Sequence, residues 1–237
     1  MTNNNQVVQT IQHRIIQAAQ RAGRNAESIT LVAVSKKRPI DVILPAYEAG
    51  VRHFGENRAD ELKEKATTLS YLKDVKWHFI GHLQTRQSKS VAQYAHYFHA
   101  VDSVKIAQVL SVQLDTFKRN LSVFIQVNIS GEKSKGGFDC YNWQNNVQHV
   151  ENLIKAIKEI AALPNIQILG LMTMAPFDAQ EDVLHHIFQS MADLSSNLGE
   201  QLPNNLVQQL SMGMSRDFEI AIEEGATFVR IGSAIFA

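Results

Sequence analysis

The sequence predicts an α/β fold, a single (β/α)8 TIM barrel with an extra N-terminal helix. Two observations carry that prediction. About eight short apolar, β-branched runs recur along the chain, and each is separated from the next by one segment with helical spacing. No Pro-, Gly- or Ser-rich linker interrupts the series, so residues 1–237 read as one domain. The chain has 237 residues, 45% of them apolar, which suffices for one large core. An open doubly wound sheet is the rival architecture that the same alternation permits.

In residues 5–22, Val8, Ile11, Ile15, Ala18 and Ala22 recur at helical spacing, and Gly23 suits the stop. Strand one is predicted at 30–35, within LVAVSKKRP. Pro39 suits the first turn of the next helix, which carries Ile40, Ile43, Leu44 and Tyr47 and stops at Gly50. VRHFGEN (51–57) reads as a second strand running into a turn. A helix over 57–68, a strand over 76–80, a helix over 85–95, a strand over 97–101 and a helix over 103–115 follow. Residues 122–128, SVFIQVN, form the clearest strand. After a Gly-, Ser- and Lys-rich loop comes a long helix with Val147, Leu153, Ile154, Ile157 and Ile160 on one face. Strand six spans 166–173, and the next helix carries Leu184 through Leu198. Strand seven is predicted at 207–210, a helix at 216–224 and strand eight at 227–231.

Lysine plus arginine (23) equals aspartate plus glutamate (23), so no global field attracts nucleic acid or an anionic membrane. The single cysteine, Cys140, excludes an internal disulfide framework and fits a reducing compartment. No basic stretch followed by an apolar run opens the chain, and no segment is long enough to span a bilayer. A cytoplasmic protein is expected.

Chemistry is expected at the strand ends. Lys36 stands at the tip of strand one, where partial desolvation would free its amine to attack a carbonyl. A solvated basic cluster is the plainer account. Lys37 is its neighbour, and strand alternation would point it the other way. Ser211 and Gly213 follow strand seven and Gly232 and Ser233 follow strand eight, the corner where barrels often bind an anion. Ordinary turns would also use these residues. Arg230 adds a fixed charge that beside a pyridine ring would disfavour protonation of the ring nitrogen, with a structural salt bridge as the alternative. His78 and His82 are four apart but lie at a strand end, which does not meet the helical two-histidine metal pattern, so no metal site is expected. GEKSKGG lacks the ending of a nucleotide P-loop, and Cys140 has no evident histidine partner.

The motifs AVSK (33–36), HFGEN (53–57), WHFIGHLQ (77–84), VNIS and SKGG (within 127–137), GLMTM (170–174) and LSMGMSRDFEIAIEEGATFVRIGSAIF (210–236) come in order. With them the chain resembles the pyridoxal phosphate homeostasis protein family, stand-alone relatives of the N-terminal barrel of alanine racemase. The resemblance implies pyridoxal 5′-phosphate (PLP) bound as a Schiff base on Lys36, with Asn57 beside it. It also implies Ser211, Gly232 and Ser233 on the phosphate, Arg230 at the pyridine nitrogen and Met212 in the same cofactor-binding set. Residues 85–89, TRQSK, and Arg216, where an aspartate is common, depart from the family pattern.

The function so implied is intracellular PLP homeostasis: binding, storing and delivering the cofactor, with no catalytic residue and no robust activity. PLP-dependent apoenzymes are the implied partners, and a monomer is expected. A PLP-dependent amino-acid racemase or lyase is the alternative. Racemisation needs an acid/base group on each face of the substrate carbon, which alanine racemase-like enzymes complete from a second domain. A barrel that binds a phosphorylated metabolite without a Schiff base is the third reading.

Overall fold

A computed structural model describes residues 4–203 and 206–236. Helix α1 (Asn4–Arg21) precedes β1 (Thr30–Val34), and the alternation then runs α2 (Ile40–Glu48), β2 (His53–Glu56), α3 (Ala59–Thr68) and β3 (Lys76–Phe79). It continues with α4 (Ser88–Tyr94), β4 (Tyr97–Val101), α5 (Val104–Phe117) and β5 (Leu121–Asn128). The two-residue β6 (Phe138–Asp139) precedes α6 (Val147–Ala161), β7 (Ile166–Met172), α7 (Glu181–Gln201) and β8 (Gln209–Met214). The last elements are α8 (Phe218–Glu223), β9 (Phe228–Ile231) and α9 (Ser233–Phe236).

Eight parallel strands close into a ring in the order β1, β2, β3, β4, β5, β7, β8, β9 and back to β1. Closure decides against the open sheet. The small β6 lies outside the ring and, among the described residues, pairs only with the tip of β5. Alternate strand residues face the helices: Ala33, Phe54, Trp77, Phe79, Phe98, Val123, Val229 and Ile231 are buried among them. Helix α1 buries Val8, Ile11, Ile15 and Ala18, and is tied to α8 by Arg14–Glu219 at 2.8 Å and Arg21–Glu223 at 2.6 Å. No helix among the described residues is long and apolar enough to cross a membrane.

Two predicted boundaries are corrected. Strand one stops at Val34, so Lys36 and Lys37 both lie in the turn beyond it. Strand alternation therefore does not separate the two lysines. Lys37 takes a left-handed backbone with φ of 58°, and its N–H donates to Glu61 Oε2 at 2.7 Å. Strand seven of the sequence reading is β8, and it runs to Met214 instead of ending at Leu210. Gly213 suggested a turn, but it sits at φ of 91° in a strand whose register shifts between Ser211 and Met214. A bulge, which a glycine permits, carries the strand onward. Ser211 consequently belongs to the strand and not to the loop after it.

Candidate functional site

The carboxyl ends of β9, β1 and β2 bring most of the predicted residues together. Arg230 pairs with Val32 of β1, and β1 pairs in turn with β2, which leads into Asn57. Gly232 lies against Val34: a Cβ there would come within 3.0 Å of the Val34 carbonyl oxygen. Lys36, exposed in the turn two residues beyond Val34, therefore stands between the Gly232 corner and Asn57.

That turn has a buried polar footing. Ser35 Oγ donates to Glu56 Oε1 at 2.6 Å, and Lys65 Nζ donates to Glu56 Oε1 at 2.7 Å and to the Ser35 carbonyl at 2.8 Å. Burial pushes the Glu56 carboxyl up to about 7, against the opposing pull of Lys65 and Ser35. The other oxygen, Glu56 Oε2, is buried with no hydrogen-bond partner, and so is Asn57 Oδ1. Gly81 packs against Asn57 so closely that a Cβ would lie 2.2 Å from the Asn57 carbonyl oxygen. An amide oxygen held in place by the backbone and left without a partner suits a bound polar ligand.

Arg230 is buried inside the ring. It donates to the Ser211 carbonyl at 2.8 Å, the Ser211 hydroxyl at 2.5 Å and the Thr173 carbonyl at 2.9 Å. All of these partners are neutral oxygens, which removes the salt-bridge account. Burial lowers the guanidinium to about 10, with Asp217 opposing. Among the described residues, three of its five N–H donors are taken, which leaves two for a ligand.

Ser211 and the Gly232 corner sit at different depths. Ser211 pairs with Phe228, four residues before Gly232, whereas Met214 pairs with Arg230. Four strand residues at about 3.3 Å each place Ser211 roughly 13 Å deeper. The hydroxyl beside Gly232 belongs to Ser215, whose Oγ accepts from Gly232 N–H at 3.2 Å and Ala234 N–H at 3.4 Å. Sequence reading left Ser215 without a role, although it stands in the SMGMS run. Met212 is fully buried in β8, and Ser233 is exposed at the start of α9.

Three histidines line the ring, of which the sequence reading weighs His78 only as a metal ligand and does not single out His53 or His99. His53 Nδ1 lies 2.8 Å from His78 Nε2, His78 Nδ1 lies 2.8 Å from His99 Nε2, and His99 Nδ1 lies 2.7 Å from Ser211 Oγ. They come from β2, β3 and β4, and no sequence spacing announces them. His82 turns elsewhere and meets Asp102 at 2.8 Å. Asn128 holds the following loop through the carbonyls of Glu132 and Lys135. Burial holds the Cys140 thiol up at about 12, which keeps it protonated.

A closed parallel barrel with a lysine turn, a buried arginine and a glycine-serine corner at its carboxyl end defines an alanine racemase-type barrel. The profile of the alanine racemase N-terminal domain matches residues 8–237. The pyridoxal phosphate homeostasis protein of Vibrio alginolyticus is 39% identical, with 100% of this chain and 97% of the relative covered. The protein of the same name from Pseudomonas aeruginosa is 40% identical over 94% of this chain and 90% of its own. PipY of Synechococcus elongatus PCC7942, solved with PLP bound, superposes with a TM-score of 0.81 at 31% identity, covering 94% of this chain and 100% of that one. The chain belongs to the pyridoxal phosphate homeostasis protein family, within the alanine racemase N-terminal domain class.

Proposed function

We propose that the chain binds PLP covalently through Lys36 and serves in PLP homeostasis, keeping the cofactor and handing it to apoenzymes without turning over a substrate of its own. When bound, PLP supplies an aldehyde carbon for an amine and a ring able to withdraw electrons. Lys36 would offer its amine to that aldehyde from an exposed turn, which Ser35, Glu56 and Lys65 anchor from below. Asn57 offers its unpartnered amide oxygen beside it. The phosphate is assigned to Gly232, Ser233 and Ser215, and Met212, buried in β8, stays in the cofactor-binding set on the resemblance alone. Ser211, given to the phosphate on resemblance, is assigned instead to the support of Arg230, because its hydroxyl is engaged at Arg230's depth.

The observation that carries the carrier reading is Arg230. A guanidinium with two spare donors stabilises an unprotonated ring nitrogen, which weakens the ring as an electron sink. PLP bound to PipY and the names of the relatives support the cofactor assignment. A cytoplasmic location and a monomeric state complete the reading. Neither nucleic acid nor membrane is among the proposed partners, in keeping with the balanced charge.

The reading is tested by incubating loaded protein with amino acids in deuterated water, and separately with a PLP-dependent apoenzyme. Recovery of apoenzyme activity with no α-proton exchange is expected. Exchange at ordinary enzyme rates of about 1–10³ per second would establish the racemase or lyase alternative.

A further inference from the structure

We propose that Arg230 polarises a one-way hydrogen-bonded chain through the barrel interior, Arg230 to Ser211 to His99 to His78 to His53, and that Ser211 and His99 are positioning residues for Arg230. Arg230 sets the direction of the first link. A guanidinium only donates, so Arg230 gives a proton to Ser211 Oγ at 2.5 Å. Ser211 is fully buried, and its single hydroxyl proton has the His99 Nδ1 atom at 2.7 Å as its acceptor. The opposite polarity, with His99 donating, would leave a buried hydroxyl proton without a partner, which is unfavourable.

Each later step follows. With Nδ1 accepting, His99 carries its proton on Nε2 and donates to His78 Nδ1. His78 in turn donates from Nε2 to His53 Nδ1. His53 is half-buried and lines a cavity of about 540 Å³ at the amino ends of the strands, together with Arg52, Glu27 and Gln12. The chain thus spans the barrel from that mouth to the level of Arg230. Rings hold it in line: His78 stacks on Tyr97 at 4.3 Å, His99 stacks on Phe124 at 4.6 Å, and Phe228 meets His99 edge-on at 5.9 Å.

The polarity requires neutral imidazoles, and the surroundings supply them. Burial holds His78 and His99 well below the ordinary histidine value. The charged groups nearest the chain are Lys76 at the His53 end, Arg119 beside neighbouring His96, and Arg230 with Asp217 at the other end. The consequence is that the Ser211 hydroxyl is always available as an acceptor, so the guanidinium stays aimed and charged. This rests on the PLP reading only in giving Arg230 the ring nitrogen as its ligand.

Histidine nitrogen resonances of the isotopically labelled protein without cofactor provide the test. At pH 7 both His78 and His99 are expected as the Nε2–H tautomer. Ser211→Ala is expected to release His99 into a mixture of tautomers, and Ser211→Thr to restore the single form. Nδ1–H or an imidazolium on either ring of the wild type overturns the chain. Should Ser211→Ala fail to fold, Arg230→Met makes the same prediction of mixed His99 tautomers. In loaded protein, the pH midpoint of the visible absorbance is expected to move in Ser211→Ala and return in Ser211→Thr. An unmoved midpoint with ordered tautomers overturns the positioning role, while failure to load PLP at all would overturn the cofactor reading and leave the tautomer result standing.

Discussion

Lys65 donates to Glu56 Oε1 at 2.7 Å where neither side chain reaches solvent appreciably, directly beneath the turn that carries Lys36. Without Lys65, burial drives Glu56 to take up a proton, and the Ser35 carbonyl loses its donor. Lys65→Met should therefore destabilise the fold by about 1–3 kcal/mol, read as a lower urea midpoint. It should also loosen the Ser35 carbonyl and reduce covalent loading at Lys36.

The same carboxyl gives a pH dependence with a definite sign. Its folded value, about 7, lies above the unfolded value of 4.5, so folding favours the protonated form. The contribution to stability is present below pH 4.5 and is lost as pH rises through 7. The stability of the wild type relative to Glu56→Gln should accordingly fall between pH 5 and pH 8, by on the order of 1–3 kcal/mol. A flat difference would show that Glu56 does not titrate in this range.

The histidines act in the opposite direction. Burial brings His53 and His96 down to about 4 from 6.5, and holds His78 and His99 well below the ordinary histidine value. Their neutral forms support the fold above pH 6.5, and that support is lost as pH falls through about 4. Denaturant midpoints should drop steadily over this interval, and His99→Gln should show a shallower drop.

Gly81→Ala tests the placement of Asn57. A Cβ 2.2 Å from the Asn57 carbonyl oxygen forces backbone to move, since no flexible side chain can yield there. A loss of about 1–3 kcal/mol is expected, together with weaker PLP loading, measured by thermal melting and visible absorbance.

The alternation of apolar runs and helical faces made the barrel legible, because parallel strands buried on both sides cannot hide their hydrophobicity. Lys36, Asn57, Arg230 and Gly232 stand out in the sequence because each lies at or near a strand end, whereas their cofactor roles rest on the resemblance and are part of the proposal. Ser211 and Ser215 were harder to tell apart. Gly213 looked like the end of a strand, and only the bulge shows that one serine faces inward while the other reaches the Gly232 corner. His53, His78 and His99 were invisible as a group because ring closure, not sequence spacing, brings β2, β3, β4 and β8 together. Glu56 and Lys65 are nine apart on a strand and a helix, and their pairing depends on how α3 packs.

Covalent loading at Lys36 is tested by adding PLP to the purified protein, reducing with borohydride and locating the modified peptide by mass. A single adduct on Lys36, absent from Lys36→Ala, is the predicted result. An adduct on Lys37 or Lys65 in the wild type, or no adduct at all, would contradict it.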